Sequence, residues 1–435
     1  MKRWLVVAVA ACGGGPRYLG APLPDACAGN NAEACAGWLA ERDLEAGGLD
    51  VYADAALRRY VQGIADRLAR GTRLAHPPRV VISDHDGTYA AFGDRIVIGR
   101  IAIEKLGSEA ELAAIVAHEL VHVEGRHATV SLFGPEADAR WLVTRRDAEA
   151  IADERAVTLL ERAGYTPAAM SRALEAELDP EDDPADPDDD GDDDEHPPRA
   201  ERLAHVAQLA DGRIDGFDGR AELLAHIDQM ILGRDTRLGV RVGDAWVIAA
   251  LGIALELPAR DIVHVDGDAV VLRHGTSSLT AYAIGAPWAR ELAATLDDRA
   301  ETESELGRIT VGIAPAHGQT EAPLARLEQS IHELLPQPAP GTWLVILDRP
   351  RGGLVLELSP RTDPFVRDRW LHGLRAAAPH EVAAAEPPHL TIVRAPRAGT
   401  VAELVTACTD PAAARALDRP DRVLGAGDPI KCTDR

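Results

Sequence analysis

Residues 118–122 are His118-Glu119-Leu120-Val121-His122, and this short stretch decides how the rest of the sequence is interpreted. It lies in an apolar segment that starts at Ser108, where Ser-Glu-Ala-Glu predicts a helix N-terminus closed by a capping box. At 100° per residue, the two histidines lie one turn apart on one helical face. Two imidazoles placed in this way can bind one zinc ion, and Glu119 stands beside them as a base rather than a ligand. The alternative is a pair of hydrogen-bonded histidines in an ordinary buried helix. It is disfavoured, because burying the polar groups of this motif unpaired in an apolar helix would cost several kcal/mol.

A second helical segment, residues 145–160, supplies a third candidate ligand. Glu149 and Asp153 are four residues apart in this Ala- and Leu-rich stretch, so they share one helical face. A carboxylate ligand from Glu149 would complete a His₂Glu set that leaves one coordination position open, as in catalytic zinc sites. Asp153 would then accept a hydrogen bond from the far nitrogen of a ligand histidine. We therefore predict one zinc ion per chain on His118, His122 and Glu149; the alternative is a surface helix with two ordinary acids.

The order of these motifs resembles that of peptidase family 48, the gluzincin metallopeptidases of the HtpX and BepA type. The matching segments, besides 118–122, are Glu-Ala-Ile-Ala-Asp at 149–153, Ala-Gly-Tyr-Thr-Pro at 163–167, His-Pro-Pro-Arg-Ala-Glu-Arg at 196–202 and Gly-Arg-His at 125–127. The resemblance covers about residues 48–232. It implies a zincin-type zinc endopeptidase in which Glu119 is the general base, His196 sits over the metal and Arg202 lies close to the site.

The family resemblance leaves two questions open. His196 would be the donor to the oxyanion of the tetrahedral intermediate, or it would cap the metal in a resting state. The family also has an Asn-Ala-Phe-Ala strand followed by Pro-Gly-Gly, which aligns the substrate, and the segment Tyr89–Asp94 has neither the asparagine nor the Pro-Gly-Gly. This departure gives weight to a second function, a weak or inactive pseudo-peptidase that acts as an envelope chaperone or scaffold.

The N-terminus has the pattern of a short bacterial lipoprotein signal peptide. A basic pair, Lys2-Arg3, precedes an apolar stretch that ends in Val-Ala-Ala directly before Cys12. We predict a signal peptide over 1–11, lipidation of Cys12 and a tether over 12–45; the alternative is an apolar segment packed on a core. Gly13 at the next position favours, by resemblance to known sorting rules, the outer membrane with the protein facing the periplasm.

The other four cysteines are an even number, as expected for disulfides in an exported protein. Of the three possible connectivities we favour the two local pairs, Cys27–Cys35 and Cys408–Cys432. Free buried thiols are the alternative.

The formal charge of −24 is concentrated in one place. Residues 179–195 hold 12 carboxylates and no base, so half of the net charge lies in this insertion, directly before His196. The acidic balance argues against nucleic acid as a partner, and the absence of a long apolar run argues against a polytopic membrane protein. The insertion opens like an EF-hand calcium loop but has Pro197 where the last ligand, a glutamate, should be. An EF-hand is therefore disfavoured, and the alternatives are weak Ca²⁺ binding without an EF-hand and a solvated, disordered chain.

The sequence predicts an α+β fold. A mainly helical metallopeptidase domain with a small sheet is expected over 46–232, followed by an α+β domain of unknown role over 237–388. Residues 389–435 resemble a degenerate LysM module, which would bind peptidoglycan, with a structural terminal cap as the alternative. The expected substrates are misfolded or misassembled envelope proteins.

Overall fold

The computed structural model describes residues 17–18, 21–22, 38, 52, 54–84, 88–91, 95–127, 139–177, 199–233, 238–257, 261–266, 269–314, 342–350 and 352–434. Helices and strands are mixed, as the sequence predicts. The chain forms two units. We call Tyr52–Gly233 with Pro388–Arg435 the helical unit, and Met1–Val51 with Arg234–Pro387 the sheet unit. Within the described residues, none of the helices has the length and apolar character that crossing a bilayer requires.

The first elements are two short antiparallel strands, after which the helical unit begins. In chain order the elements up to Gly233 are β1 (Arg17–Tyr18), β2 (Ala21–Pro22), α1 (Ala55–Ala69), β3 (Arg79–Ser83), β4 (Tyr89–Ala91), β5 (Arg95–Gly99), α2 (Arg100–Lys105), α3 (Glu109–Gly125), α4 (Ala139–Ala163), α5 (Ala169–Glu177), α6 (Arg199–Ala210) and α7 (Arg220–Ile227).

The helical unit contains a three-stranded sheet in the order β3-β5-β4. Strands β3 and β5 are parallel and rich in valine and isoleucine, and their side chains are almost fully buried, as expected for a sheet covered on both faces. Strand β4 pairs antiparallel with β5, with Tyr89 opposite Val97, and lies at the edge of the sheet. The segment that departs from the family pattern therefore still begins as an edge strand.

Helix α3 is the buried centre of the helical unit. Ser108 begins it, since its side-chain oxygen accepts from the backbone N–H of Glu111 at 3.3 Å. The second half of the predicted capping box is replaced, because the Glu111 carboxylate accepts from the N–H of Gly107 at 2.6 Å instead. The helix is apolar around most of its circumference, and Ala110 to Ala117 are buried, whereas His118 and His122 of the motif are partly exposed. A largely buried helix gives the residues of a site a rigid base.

Residues 388–434 complete the helical unit. Their elements are β17 (Leu390–Arg394), β18 (Gly399–Thr400), α11 (Val401–Leu404), α12 (Pro411–Arg415), β19 (Val423–Leu424) and β20 (Pro429–Thr433). Strands β17 and β20 pair antiparallel, and Cys408 is bonded to Cys432, as predicted. The backbone of Leu390 exchanges hydrogen bonds of 2.8 Å with Gln229 and Met230. The resemblance of this segment to LysM stays a prediction.

The sheet unit is built around a larger antiparallel sheet. Its remaining elements are β6 (Val240–Val242), β7 (Ala245–Ile248), β8 (Ile253–Glu256), β9 (Ile262–Asp266), β10 (Ala269–His274), β11 (Ser277–Ile284), α8 (Ala286–Thr295), β12 (Asp297–Ser304), β13 (Gly307–Ile313), β14 (Trp343–Arg349), β15 (Gly352–Leu358), α9 (Pro364–His372), β16 (Leu374–Ala376) and α10 (Pro379–Ala385). Seven strands follow the order β12-β13-β14-β15-β11-β10-β9, and four the order β16-β8-β7-β6. Trp370 on α9 is fully buried, and its indole N–H donates to Asp261 at 2.6 Å. This contact fixes α9 on its unit.

Candidate metal centre

Three side chains from two helices converge on one point of the helical unit. His118 and His122 lie on consecutive turns of α3, and Glu149 lies on α4. The Nε2 atoms of the histidines are 3.0 Å apart. The Glu149 oxygens lie 3.2 Å from Nε2 of His118 and 3.3 Å from Nε2 of His122. The structure thus brings together the three residues that the sequence predicts as ligands.

These separations fit a tetrahedral zinc ion. Ligand atoms at 2.0–2.1 Å from one such ion lie about 3.3 Å from each other. The three distances, from 3.0 to 3.3 Å, are close to this value, although the two to Glu149 involve one carboxylate oxygen each, Oε2 toward His118 and Oε1 toward His122. Two imidazoles and one carboxylate are also the donor set of catalytic zinc sites. The residues present therefore fit zinc.

The charges around the histidines also favour a cation. Burial disfavours the charged form of His118, but the carboxylates of Asp153 and Glu149 outweigh it and raise its pKa to about 10. Burial and the charge on His118 together lower the pKa of His122 to about 3. The carboxylates of Glu149 and Asp153 thus favour a positive charge at His118, on the side where a metal ion would bind.

Asp153 and Arg202 support the ligand His118 from behind. Asp153 is 1% exposed, and its Oδ1 lies 2.9 Å from Nδ1 of His118. That contact is short but not well aligned, since Nδ1 has no partner in good hydrogen-bond geometry. Arg202, from α6, donates to both oxygens of Asp153, at 2.8 and 3.0 Å. Burial would raise the pKa of Asp153, but His118 and Arg202 hold it below its usual range, so the carboxylate stays charged.

Glu119 lines a small cavity together with the ligand His118. Its side chain is 8% exposed, so the carboxylate is largely withdrawn from bulk water. The rest of the cavity wall is mostly apolar and comes from α3, α5 and α6: Ile115, His118, Met170, Ala173, Leu174 and Arg202. A carboxylate that shares a mostly apolar cavity with a ligand histidine is a candidate general base.

Several residues predicted from the sequence lie outside the described residues. They are Cys12, the pair Cys27 and Cys35, the acidic insertion 179–195 and His196. Their assigned roles, and calcium binding by the insertion, stay predictions. Arg202 is described, and it pairs with Asp153 at 2.8 Å and with the ligand Glu149 at 3.5 Å.

Sequence reasoning gave no role to His127, which matched only the flank of a family motif. The structure places its Nδ1 2.8 Å from Nδ1 of His122, with the two rings edge to face at 80°. The available signal was a histidine five residues after His122, directly beyond the helix end.

The ion pair behind His118 leads to a testable prediction. We expect Arg202→Ala to weaken zinc binding about 10–100-fold, because Asp153 would lose the group that holds it charged and oriented. The dissociation constant is measured by competition with a chromophoric chelator. Arg162→Ala, at an exposed position on α4, is the matched control. Equal zinc affinity in both variants would contradict the assigned role of Arg202.

Comparison with known proteins supports a metal-dependent hydrolase. A search of curated proteins found no match to this chain. One family model does match, over a stretch that contains His118, Glu119 and His122 and ends before Glu149. Residues 55–140, well under half of the chain, match the model of peptidase family M48, and this match implies a zinc metallopeptidase.

Proposed function

We propose that this protein is a zinc-dependent endopeptidase that hydrolyses peptide bonds of misfolded or misassembled envelope proteins. The observation that carries the proposal is the convergence of His118, His122 and Glu149, with Glu119 lining a small cavity whose wall includes the ligand His118. When bound, zinc supplies Lewis acidity and lowers the pKa of water toward 7.

The chain's own residues then have separate tasks. Glu119 takes a proton from the attacking water and returns it to the leaving amine. Asp153 and Arg202 keep the ring of His118 in place, so that its Nε2 faces the metal position. Ile115, from α3, and the apolar residues of α5 limit the entry of bulk water. His196 is proposed, from the family resemblance, as the donor to the oxyanion.

The edge strand β4 offers a way to hold the substrate backbone. An extended peptide can add to a sheet edge through main-chain hydrogen bonds, which requires an unfolded substrate segment. β4 is the outer strand of the order β3-β5-β4, and its partner β5 is followed directly by α2, the helix before α3. Backbone pairing is independent of side-chain identity, which suits an enzyme for misfolded proteins of varied sequence.

The envelope location is part of the same proposal. It is supported by the signal-like N-terminus with Cys12 and by the Cys408–Cys432 disulfide, a bond typical of oxidising compartments. A lipid on Cys12 would hold the protein at the outer membrane, facing the periplasm. Peptidoglycan is a further proposed partner through residues 389–435.

Metal removal tests the proposed reaction. We expect the purified protein to cleave unfolded casein, to lose at least about 99% of this activity after zinc is chelated, and to regain it with one equivalent of Zn²⁺, because the chemistry needs the metal. Peptide fragments are identified by mass spectrometry, and added Ca²⁺ alone serves as a control. Cleavage that persists without zinc would contradict the proposal.

The same experiment separates a second candidate function. The missing asparagine and Pro-Gly-Gly around Tyr89–Asp94 favour a pseudo-peptidase that keeps its zinc as a structural element. Stoichiometric zinc with no casein cleavage, combined with suppression of casein aggregation, would support this envelope chaperone or scaffold instead.

A further inference from the structure

The end of helix α3 is shaped so that the chain turns back on a metal ligand. Arg126 ends the helix in the left-handed region, with φ 54°, and its N–H donates to the carbonyls of His122 and Val123. Gly125 precedes it, and a Cβ at this position would overlap the ring of His127. The glycine therefore leaves the space in which the His127 ring lies over the last turn.

The ring that occupies this space contacts only one side of His122. Nδ1 of His127 lies 2.8 Å from Nδ1 of His122, and the ring centroids are 4.8 Å apart in an edge-to-face arrangement. The other nitrogen of His122, Nε2, faces His118 and Glu149. The Nδ1 atom of His127 is thus directed at the back of a ligand ring, so it is not a fourth ligand.

These contacts determine which nitrogen of His122 carries the hydrogen when the residue binds a metal. A neutral imidazole has one N–H and one lone pair, and the lone pair must be on Nε2 if that atom is to bind a metal. The hydrogen is then on Nδ1, where it needs an acceptor. Nδ1 of His127 is that acceptor at 2.8 Å, in the tautomer that carries its own hydrogen on Nε2. Asp153 lies 2.9 Å from Nδ1 of His118, so each ligand histidine has one group behind its ring.

We propose that His127 is a positioning residue, which fixes the tautomer and the ring plane of His122 for metal binding, and that Gly125 is the residue that admits it. The inference rests on the proposed zinc site. It adds a role for the turn after residues 118–122, whereas the proposed zinc site involves only side chains on two helices.

The test compares an acceptor with an apolar side chain at the same place. In His127→Asn, the amide oxygen replaces Nδ1 as acceptor, whereas His127→Leu has none. We expect His127→Leu to weaken zinc binding about 10-fold or more and His127→Asn to recover most of this loss. His205→Leu, at an exposed position on α6, is the matched control and should bind zinc like the wild type.

A second variant keeps the imidazole and removes its space. Gly125→Ala favours the helix, since alanine has the higher propensity, so the protein should fold at least as well. We expect it to weaken zinc binding as His127→Leu does, because the new methyl group displaces the ring. The visible spectrum of the Co²⁺-loaded protein should change in both variants and stay near the wild-type spectrum in His127→Asn.

The readouts distinguish this role from general support of the fold. Zinc dissociation constants come from chelator competition, and the Tm is measured on the metal-free proteins, where the positioning role predicts values close to the wild type. Wild-type zinc affinity in His127→Leu, or an asparagine variant as weak as the leucine variant, would overturn the proposal. Zinc binding by the wild type without casein cleavage would contradict the proposed function alone, because it leaves the assignment of His127 intact.

Discussion

Glu119→Gln is expected to lower casein cleavage by about 10³-fold or more while zinc stays at one ion per chain. The amide is close in size to the carboxylate but cannot take a proton from water, and loss of a positioned general base typically costs 10²–10⁴-fold. Because Glu119 is not among the three converging ligand atoms, the metal should bind with nearly wild-type affinity. Activity is measured with labelled unfolded casein, and zinc by elemental analysis of the same samples.

A control for this substitution is available on the neighbouring helix. Glu154→Gln makes the same chemical change at an exposed position of α4, next to Asp153 in sequence, and should leave both activity and zinc unchanged. If Glu119→Gln cleaves casein at the wild-type rate, Glu119 is not the base, and the proposed mechanism is wrong. If zinc is lost together with activity, Glu119 instead contributes to metal binding.

The inactive variant also addresses the substrate. A protein that binds an unfolded chain but cannot cleave it should retain the chain long enough for crosslinking. Capture of outer-membrane or periplasmic proteins by the Glu119→Gln variant, expressed in its host, would support the envelope assignment. Capture of cytoplasmic proteins only would contradict it.

The metal centre could be predicted from sequence because its parts are local. His118 and His122 are four residues apart on one helix, and Glu149 and Asp153 are four residues apart on another. The helical period alone places the members of each pair on one face. The family resemblance then supplied the meeting of the two helices, which the distances of 3.0 to 3.3 Å confirm. The small sheet predicted for this domain has the same local origin, since β3 and β5 are short runs of buried valine and isoleucine.

The parts that could not be predicted depend on contacts distant in sequence or on the path of a turn. Arg422 pairs with Glu111 at 2.6 Å, although nothing in either local sequence distinguishes these residues from surface charges. Glu111 was assigned to a capping box, but Gly107, Arg172 and Arg422 all donate to it. The role of His127 depends on the left-handed Arg126, which sequence patterns indicate poorly outside glycine and asparagine.

These contacts give residues 388–434 a consequence for the metal centre. Arg422 of this segment donates to the carbonyl of Gly107, just before α3. Arg220, on α7, donates to the same carbonyl. Such a network fixes the start of the helix that carries His118 and His122. A tail that only tethered the protein to glycan would not need buried charges at this place, so a structural task is supported whether or not the segment also binds peptidoglycan.

Lys431 provides the sharpest test of this coupling. Its side chain is 1% exposed, and its ammonium donates to the carbonyls of Glu104 at 2.7 Å, Leu417 at 3.0 Å and Leu106. We expect Lys431→Ala to destabilise the helical unit by about 3 kcal/mol or more, because the three carbonyls at this buried position lose a shared donor. Hydrogen exchange of peptides from 104–112, followed by mass spectrometry, should accelerate strongly and measures the effect where the contact lies.

Lys105→Ala is the matched control, since this lysine is exposed at the end of α2 and its loss should change stability by less than about 0.5 kcal/mol. Unchanged exchange of 104–112 in Lys431→Ala would show that the tail does not support α3. Faster exchange accompanied by weaker zinc binding is the expected result.

The pH dependence of the same difference reports the cost of burying the Lys431 charge, which the hydrogen bonds to the three carbonyls offset. Burial lowers the pKa of Lys431 to about 8, with Asp418 opposing the shift and Arg220 adding to it, whereas the unfolded chain keeps 10.5. Below pH 8 both states carry the proton, and the cost of burying the charge is fully present. Between about pH 8 and 10.5 the unfolded state binds more protons, so the free energy of unfolding of the wild type, relative to Lys431→Ala, should rise by at most about 1.4 kcal/mol per pH unit. A difference that is flat across this window would mean that Lys431 titrates near its ordinary pKa, and its ammonium would then be exposed to water in solution.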